Sequence, residues 1–338
     1  MSDLAPWLAR QRDALLTQRG HAWLLHGPAG LGQYELALSL AQAWLCEAPG
    51  EQRPACGQCP SCHAIEVRTH ADLAVLMPET QMQAQGWPLS EKAQAELDEK
   101  KRKPGKEIRV ETLREVVEFC QRTDARGRGK VVLVYPAERL NAISANALLK
   151  TLEEPAGDVR FVLATEAAQF LLPTIRSRCQ AHTMAWPGQD EALAWLQTQG
   201  LSGPAAQALW QHAGGRPQQA LVLQAQGQGP DWWAQLPEAM RQGRVQHLAD
   251  LSPAQVLDAL QKLCHDLGLV AVGAPPRFFA REQLPPRPLP LAPLTSWFKQ
   301  LRQTARHVEH PFNTGLMLEA LTAQARQAMN AKADAALF

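Results

Sequence analysis

Residues 22–45 read AWLLHGPAGLGQYELALSLAQAWL. A short apolar run from Ala22 to His26 enters a glycine-rich turn, and from Glu35 to Leu45 apolar residues recur at helical spacing. Strand, loop and helix in that order are how an α/β domain builds a phosphate-gripping loop, whose backbone N–H groups wrap the phosphates. The G-x-x-x-x-G frame is present in Gly27 and Gly32, with Gly30 between them. The chemistry that should follow is not. Such a loop needs a Lys ammonium on the β- and γ-phosphates and a small hydroxyl on Mg²⁺, whereas these positions hold Gln33 and Tyr34. Losing a charged hydrogen bond alone removes about 1.5–3 kcal/mol. The loop is therefore expected to be a vestigial turn that holds no nucleotide.

Downstream, DLAVLM (72–77), VVLVY (131–135) and RFVLAT (160–165) are short runs rich in Val and Leu, as expected of strands buried on both faces of a parallel sheet. Helical patterns lie between them at VETLREVVEFCQRT (110–123) and NAISANALLKTLEE (141–154), the second stopped by Pro155. This alternation predicts an α/β domain over 1–184. After Pro187 the strand signals fade, and short helices broken by Gly and Pro predict a small helical domain over 185–228. A third, all-helical domain is expected over 229–338, interrupted by the proline-rich connector at 273–293. The charged stretch DEKKRKPGKEIR (98–109) reads as a solvated, mobile insertion rather than a specific DNA contact. An ATPase of this architecture places an acid at the end of a later apolar strand to hold Mg²⁺ and position water. Here Tyr135 and Pro136 occupy that place.

The chain has 338 residues, 46% of them hydrophobic and 20% charged, enough for several domains with cores of their own. Its formal net charge of +1 argues against a dominant nucleic-acid face. The charged N-terminus has no apolar leader core, so a cytoplasmic protein with no membrane partner is expected. Four of the seven cysteines crowd into C-x9-C-x2-C-x2-C: Cys46, Cys56, Cys59 and Cys62. Two-residue spacers let neighbouring thiolates meet one ion while a longer loop returns the fourth, which predicts a tetrahedral Zn²⁺ site. A closed four-thiolate shell leaves no position for water, so the zinc is expected to be structural. His63 and His70 lie nearby and are expected at the surface.

Together HAWLLHGPAGLGQ, the four-cysteine module, HADLAVLMP, IRVETLREVVEF, NAISANALLKTLEEP, FVLATE and LLPTIRSRCQ resemble the AAA+ clamp-loader family. The resemblance covers nearly all of 1–184 and is most specific from 141 to 179. It implies a RecA-like parallel sheet carrying the zinc module, then a helical lid and an all-α collar. It further implies a hetero-oligomeric partial ring with gamma/tau and delta subunits, which loads a sliding clamp on primer-template DNA and holds ATP between neighbours. In the motif Ser177-Arg178-Cys179, Arg178 takes the place of the arginine finger offered in trans to a neighbour's ATP, a role worth about 10³–10⁵ in rate. Thr165 stands where the family's ATPases place a sensor, and also reads as an ordinary strand-end threonine. Gln218, in GRPQQAL (215–221), replaces an arginine that motor subunits carry. The expected role is a subunit that receives no ATP and assists its neighbour. The alternatives are an active gamma/tau-like ATPase, which would bind ATP by itself, and a stand-alone zinc-dependent DNA-binding protein, which near-neutral charge disfavours.

Overall fold

The computed structural model describes residues 4–48, 50, 53–307 and 313–331. They fall into two compact units, Met1–Pro187 and Gly188–Phe338.

The first unit is built on a five-stranded sheet of β1 (Ala22–His26), β2 (Leu73–Leu76), β3 (Lys130–Val134), β4 (Val159–Thr165) and β5 (Gln180–Thr183). All neighbours are parallel, in the order β2-β3-β4-β1-β5. Its helices are α1 (Pro6–Leu16), α2 (Gln33–Leu45), α3 (Pro60–Glu66), α4 (Glu79–Ala84), α5 (Glu91–Asp98), α6 (Val110–Gln121), α7 (Ala142–Glu153) and α8 (Pro173–Arg176). Helix α2 lies against β3 and β4. Leu113 and Val116 of α6 and Leu148 and Leu152 of α7 share a core with Leu24, Val132, Val134, Phe161 and Leu163. With helices on both sides β3 is buried throughout and β4 everywhere but Arg160, which is why they read as apolar runs. Asn141 starts α7 by accepting from the Ser144 N–H at 2.8 Å. This order and connectivity fit the AAA+ α/β fold.

One local reading changes, and one strand has no counterpart in the sequence reading. The stretch 98–109 is tied down rather than freely solvated: Arg102 bridges Glu79 and Glu96, and Glu79 also accepts from the Gly105 N–H at 2.7 Å. Ile108, fully buried, bridges to Leu140. The partner acid Glu79 lies 23 positions before Arg102, outside any local pattern. Strand β5, QAHT, is a mostly exposed edge whose polar residues give no apolar run.

The second unit is helical: α9 (Gln189–Thr198), α10 (Gly203–His212), α11 (Pro217–Ala225), α12 (Pro230–Gln242), α13 (Pro253–Ala271), α14 (Leu291–Ala305) and α15 (Thr314–Met329). Leu196, Leu209 and Leu223 join Trp233, Leu260, Trp297 and Leu321 in one core. The proline-rich connector departs from helix as expected and is held by Asp266 of α13. That buried carboxylate accepts from the backbone N–H groups of Arg277, Phe278 and Phe279 at 3.1, 2.7 and 2.9 Å. Among the described residues no helix is long and apolar enough to cross a membrane.

His212 is a titrating weak point of this core. It is 2% exposed, stacked on Trp233 at 5.0 Å and edge-on to Phe279 at 5.5 Å. Burial, opposed by the Phe278 backbone and more weakly by Asp266 and helped by nearby Lys262, pushes its pKa down to about 4. The unfolded chain takes up this proton first, so stability present above pH 6.5 is lost as pH falls from there towards 4. The loss should reach roughly 3 kcal/mol, and His212→Phe should remove that portion of the pH dependence. Urea midpoints of both proteins at neutral and mildly acidic pH measure it.

Candidate functional site

At the edge where the strands end, β1 runs into the glycine loop and α2 leaves it. Gly32 caps α2 with φ +92°, a left-handed conformation that favours glycine. Gly27 is crowded instead, since a Cβ there would lie 2.9 Å from Cβ of Met184. Gln33 decides what the turn can hold. Its side chain is buried, and Nε2 donates to the carbonyls of Gly27 and Pro28, both at 2.8 Å. A neutral amide therefore ties the turn to itself where a phosphate loop would extend an ammonium to its ligand.

Tyr34 is equally committed. Its hydroxyl accepts from Nε1 of Trp87 at 2.7 Å, and its ring lies 5.4 Å from that of Tyr135. Burial raises the pKa of Tyr34. Tyr135 donates to Oε1 of Glu166 at 2.9 Å, and burial followed by the Glu166 charge raises its pKa as well. Aromatic surface thus fills the places of the metal-binding hydroxyl and acid. Trp87 escaped the sequence reading because it is 53 positions from Tyr34 and belongs to no motif. Glu138 also escaped it. This acid lies just past β3, but its carboxylate is engaged: Oε2 accepts from Thr165 at 2.7 Å and Oε1 from the Glu166 N–H at 3.2 Å. Thr165 is fully buried in that contact.

Arg178 lies at the opposite edge. It follows α8 and precedes Gln180, which pairs with Trp23 near the start of β1, whereas the glycine loop follows His26 at its end. The glycine loop, Tyr135 and Thr165 are therefore brought together, and Arg178 is not among them. Its guanidinium is half-exposed, paired with Glu153 at the end of α7, and donates to the Thr174 carbonyl at 2.9 Å. Ser177 donates to the same carbonyl at 3.1 Å. Cys179 packs on the core, and burial pushes its thiol up to about 12, far from nucleophilic. In the second unit, Gln218 has a buried Oε1 without a hydrogen-bond donor among the described residues.

The four cysteines converge. Cys46 ends α2, Cys59 caps α3 and Cys62 lies within it. All four Sγ atoms lie within 4.8 Å of one another, with Cys46–Cys59 and Cys56–Cys62 both at 3.9 Å. Tetrahedral zinc–sulfur bonds of about 2.3 Å require sulfurs about 3.8 Å apart, so the four cysteines fit such an ion. Gly57 makes the turn at φ +72°, and the N–H groups of Gln58 and Cys59 point at Cys56 Sγ at 3.5 and 3.3 Å. They push that thiol down to about 6, towards the ligating thiolate. His63 is exposed as expected, but His70 is not a surface residue. It is buried, its Nδ1 accepts from the Asp72 N–H at 3.0 Å, and its Nε2 therefore faces Ser61 Oγ, 2.9 Å away, as a donor. Ser61 donates to Glu47 at 2.9 Å, and Arg126 closes the chain by pairing with Glu47. Nothing at sequence level separates this anchoring histidine from a surface one.

A family described as "DNA polymerase III, delta subunit" matches residues 11–187. The DNA polymerase III subunit delta' of Pseudomonas aeruginosa is 39% identical over 236 residues, 67% of this chain and 63% of that protein. Its counterpart in Escherichia coli K12 is 34% identical over 235 residues, 68% of this chain and 62% of that one. The DNA polymerase III subunit tau of Salmonella typhimurium is 37% identical over 166 residues, 49% of this chain but 22% of its own length. The chain thus spans just under two thirds of the length of the delta' relatives it matches. Because the family match takes in more than half of its residues, the chain belongs to the DNA polymerase III delta-subunit family.

Proposed function

We propose that the chain is a delta-prime-type, non-hydrolysing subunit of a DNA polymerase III clamp loader. The observation that carries this reading is the Gln33 amide, which closes the glycine loop on its own carbonyls. Arg178 complements it from the far edge of the sheet, where it can serve only a neighbour's nucleotide. In a partial ring with gamma/tau and delta subunits, Arg178 would offset charge on the phosphoryl group transferred at the adjoining motor subunit. Loading of the sliding clamp on primer-template DNA follows from that assembly, in the cytoplasm. Residues 1–184 act as the rigid AAA+ body, 185–228 as a lid and 229–338 as a collar that joins neighbours. Zn²⁺ on Cys46, Cys56, Cys59 and Cys62 is structural and supplies cross-linking, not chemistry.

The tau similarity raises the alternative of an active ATPase. Calorimetric titration of Mg-ATP into the purified, zinc-loaded chain separates the two readings. The silent subunit should give no saturable heat in the micromolar range, and clear binding would restore the ATPase reading.

Arg178→Ala should leave folding and metal content unchanged while slowing hydrolysis at the motor site it faces by about 10³-fold or more. Single-turnover hydrolysis in the reassembled ring measures this, and an unchanged rate would remove the finger role.

The cysteine module should carry one zinc per chain by elemental analysis. Cys59→Ser should lose it and lower the Tm, since a structural metal stabilises only the folded state. Full metal retention in that variant would exclude the four-thiolate site.

A further inference from the structure

Helices α3 and α4 end in the same way and differ in one residue. At the end of α4 the N–H groups of Gly86 and Trp87 return to the carbonyls of Gln83 and Met82 at 3.1 and 2.8 Å, with Gly86 left-handed at φ +68°. At the end of α3 the N–H groups of Arg68 and Thr69 return to the carbonyls of Ile65 and Ala64 at 3.1 and 2.8 Å, and the left-handed residue is Arg68, at φ +62°. Such helix ends favour glycine, which meets no steric penalty there, whereas an arginine does. A residue held against that penalty calls for compensating contacts.

Two contacts of the Arg68 side chain reach across to the α4 turn. Its Nη2 donates to the Gln85 carbonyl, and its guanidinium lies 5.5 Å from the centre of the Trp87 ring. Trp87 is 8% exposed and points its indole N–H at the Tyr34 hydroxyl, 2.7 Å away. The Arg68 charge is felt at Tyr34 too. There burial pushes the hydroxyl pKa up, and the Trp87 hydrogen bond and Arg68 oppose it. Cation, indole and phenol thus stand in series at the position where a phosphate loop would carry its metal-binding hydroxyl. That series suits neither metal nor nucleotide: an indole N–H only donates and cannot ligate Mg²⁺, and a guanidinium repels it.

We propose that Arg68 and Trp87 plug the closed glycine loop, with Arg68 as the positioning residue that keeps Trp87 on Tyr34 and shuts the metal side of the turn to Mg²⁺ and nucleotide. Gln33 closes the turn on itself, and Trp87 covers the adjoining Tyr34. This rests on the reading of the loop as non-binding, and the two fail separately: saturable Mg-ATP binding by the unaltered chain sinks that reading, whereas variants test the plug.

Indole ¹⁵N–¹H spectra of the full, zinc-loaded chain provide the first test, with Trp87 assigned by Trp87→Phe. Arg68→Gly suits the left-handed backbone, so it removes the side chain without adding strain. It should speed hydrogen exchange at the Trp87 indole about ten-fold or more, while Trp23, buried in the same unit, keeps its rate. An unchanged Trp87 rate, or equal acceleration at Trp23, would overturn the hold of Arg68. The second test gives the loop the residues it lacks, by Gln33→Lys with Tyr34→Thr. Adding Trp87→Ala to that chain should tighten Mg-ATP binding about ten-fold or more. Equal affinity in the two chains, or no binding by either, would remove Trp87 from the closure.

Discussion

The hydrogen bonds from the Gln33 amide to the carbonyls of Gly27 and Pro28 close the turn through which β1 passes into α2. A lysine there would carry a charge that burial penalises unless an anion met it. The amide instead supplies two donors to two acceptors and is satisfied with no ligand. The turn can then be buried, and Tyr34, one position on, enters the packed region with Trp87 and Tyr135. A turn closed on its own carbonyls and a packed sheet edge are both consequences of one side chain.

Because all five strands are parallel, the two ends of the sheet are chemically different, and this chain divides its charges accordingly. The end that would hold nucleotide is closed by amide, phenol and indole groups, and its acid Glu138 is engaged with Thr165. The opposite end carries Arg178. The Arg178–Glu153 pair is only partly shielded, with side chains 32% and 45% exposed. Ion pairs at such exposure contribute about 0–1 kcal/mol. The pair therefore orients Arg178 without confining it.

The sheet was legible because burial on both faces writes itself as Val- and Leu-rich runs, as in VVLVY and RFVLAT. The cysteine site was legible because metal geometry imposes spacing. What stayed hidden depends on partners far away in the chain. Strand β5 is an edge of QAHT and needs no apolar run. The anchoring of 98–109 depends on Glu79, and the committed state of Tyr34 depends on Trp87. Gln33 showed in sequence what the loop had lost, while the hydrogen bonds it had gained required the direction of its side chain.

His70 connects these levels. A metal bound by four thiolates fixes a small module internally but does not fix that module to the sheet. Here the join is polar and buried: the Asp72 N–H to His70, His70 to Ser61, and Ser61 to Glu47, with Asp72 itself accepting from the N–H groups of Ala125 and Arg126 at 2.7 and 3.1 Å. Asp72 immediately precedes β2, and Ser61 lies between two cysteines of the cluster, Cys59 and Cys62. Burial lowers the pKa of His70, which favours the neutral ring whose one acceptor and one donor this chain requires. The cysteine module is therefore oriented against the sheet by a connected polar network, and a change at His70 would disturb its placement while leaving all four thiolates in sequence.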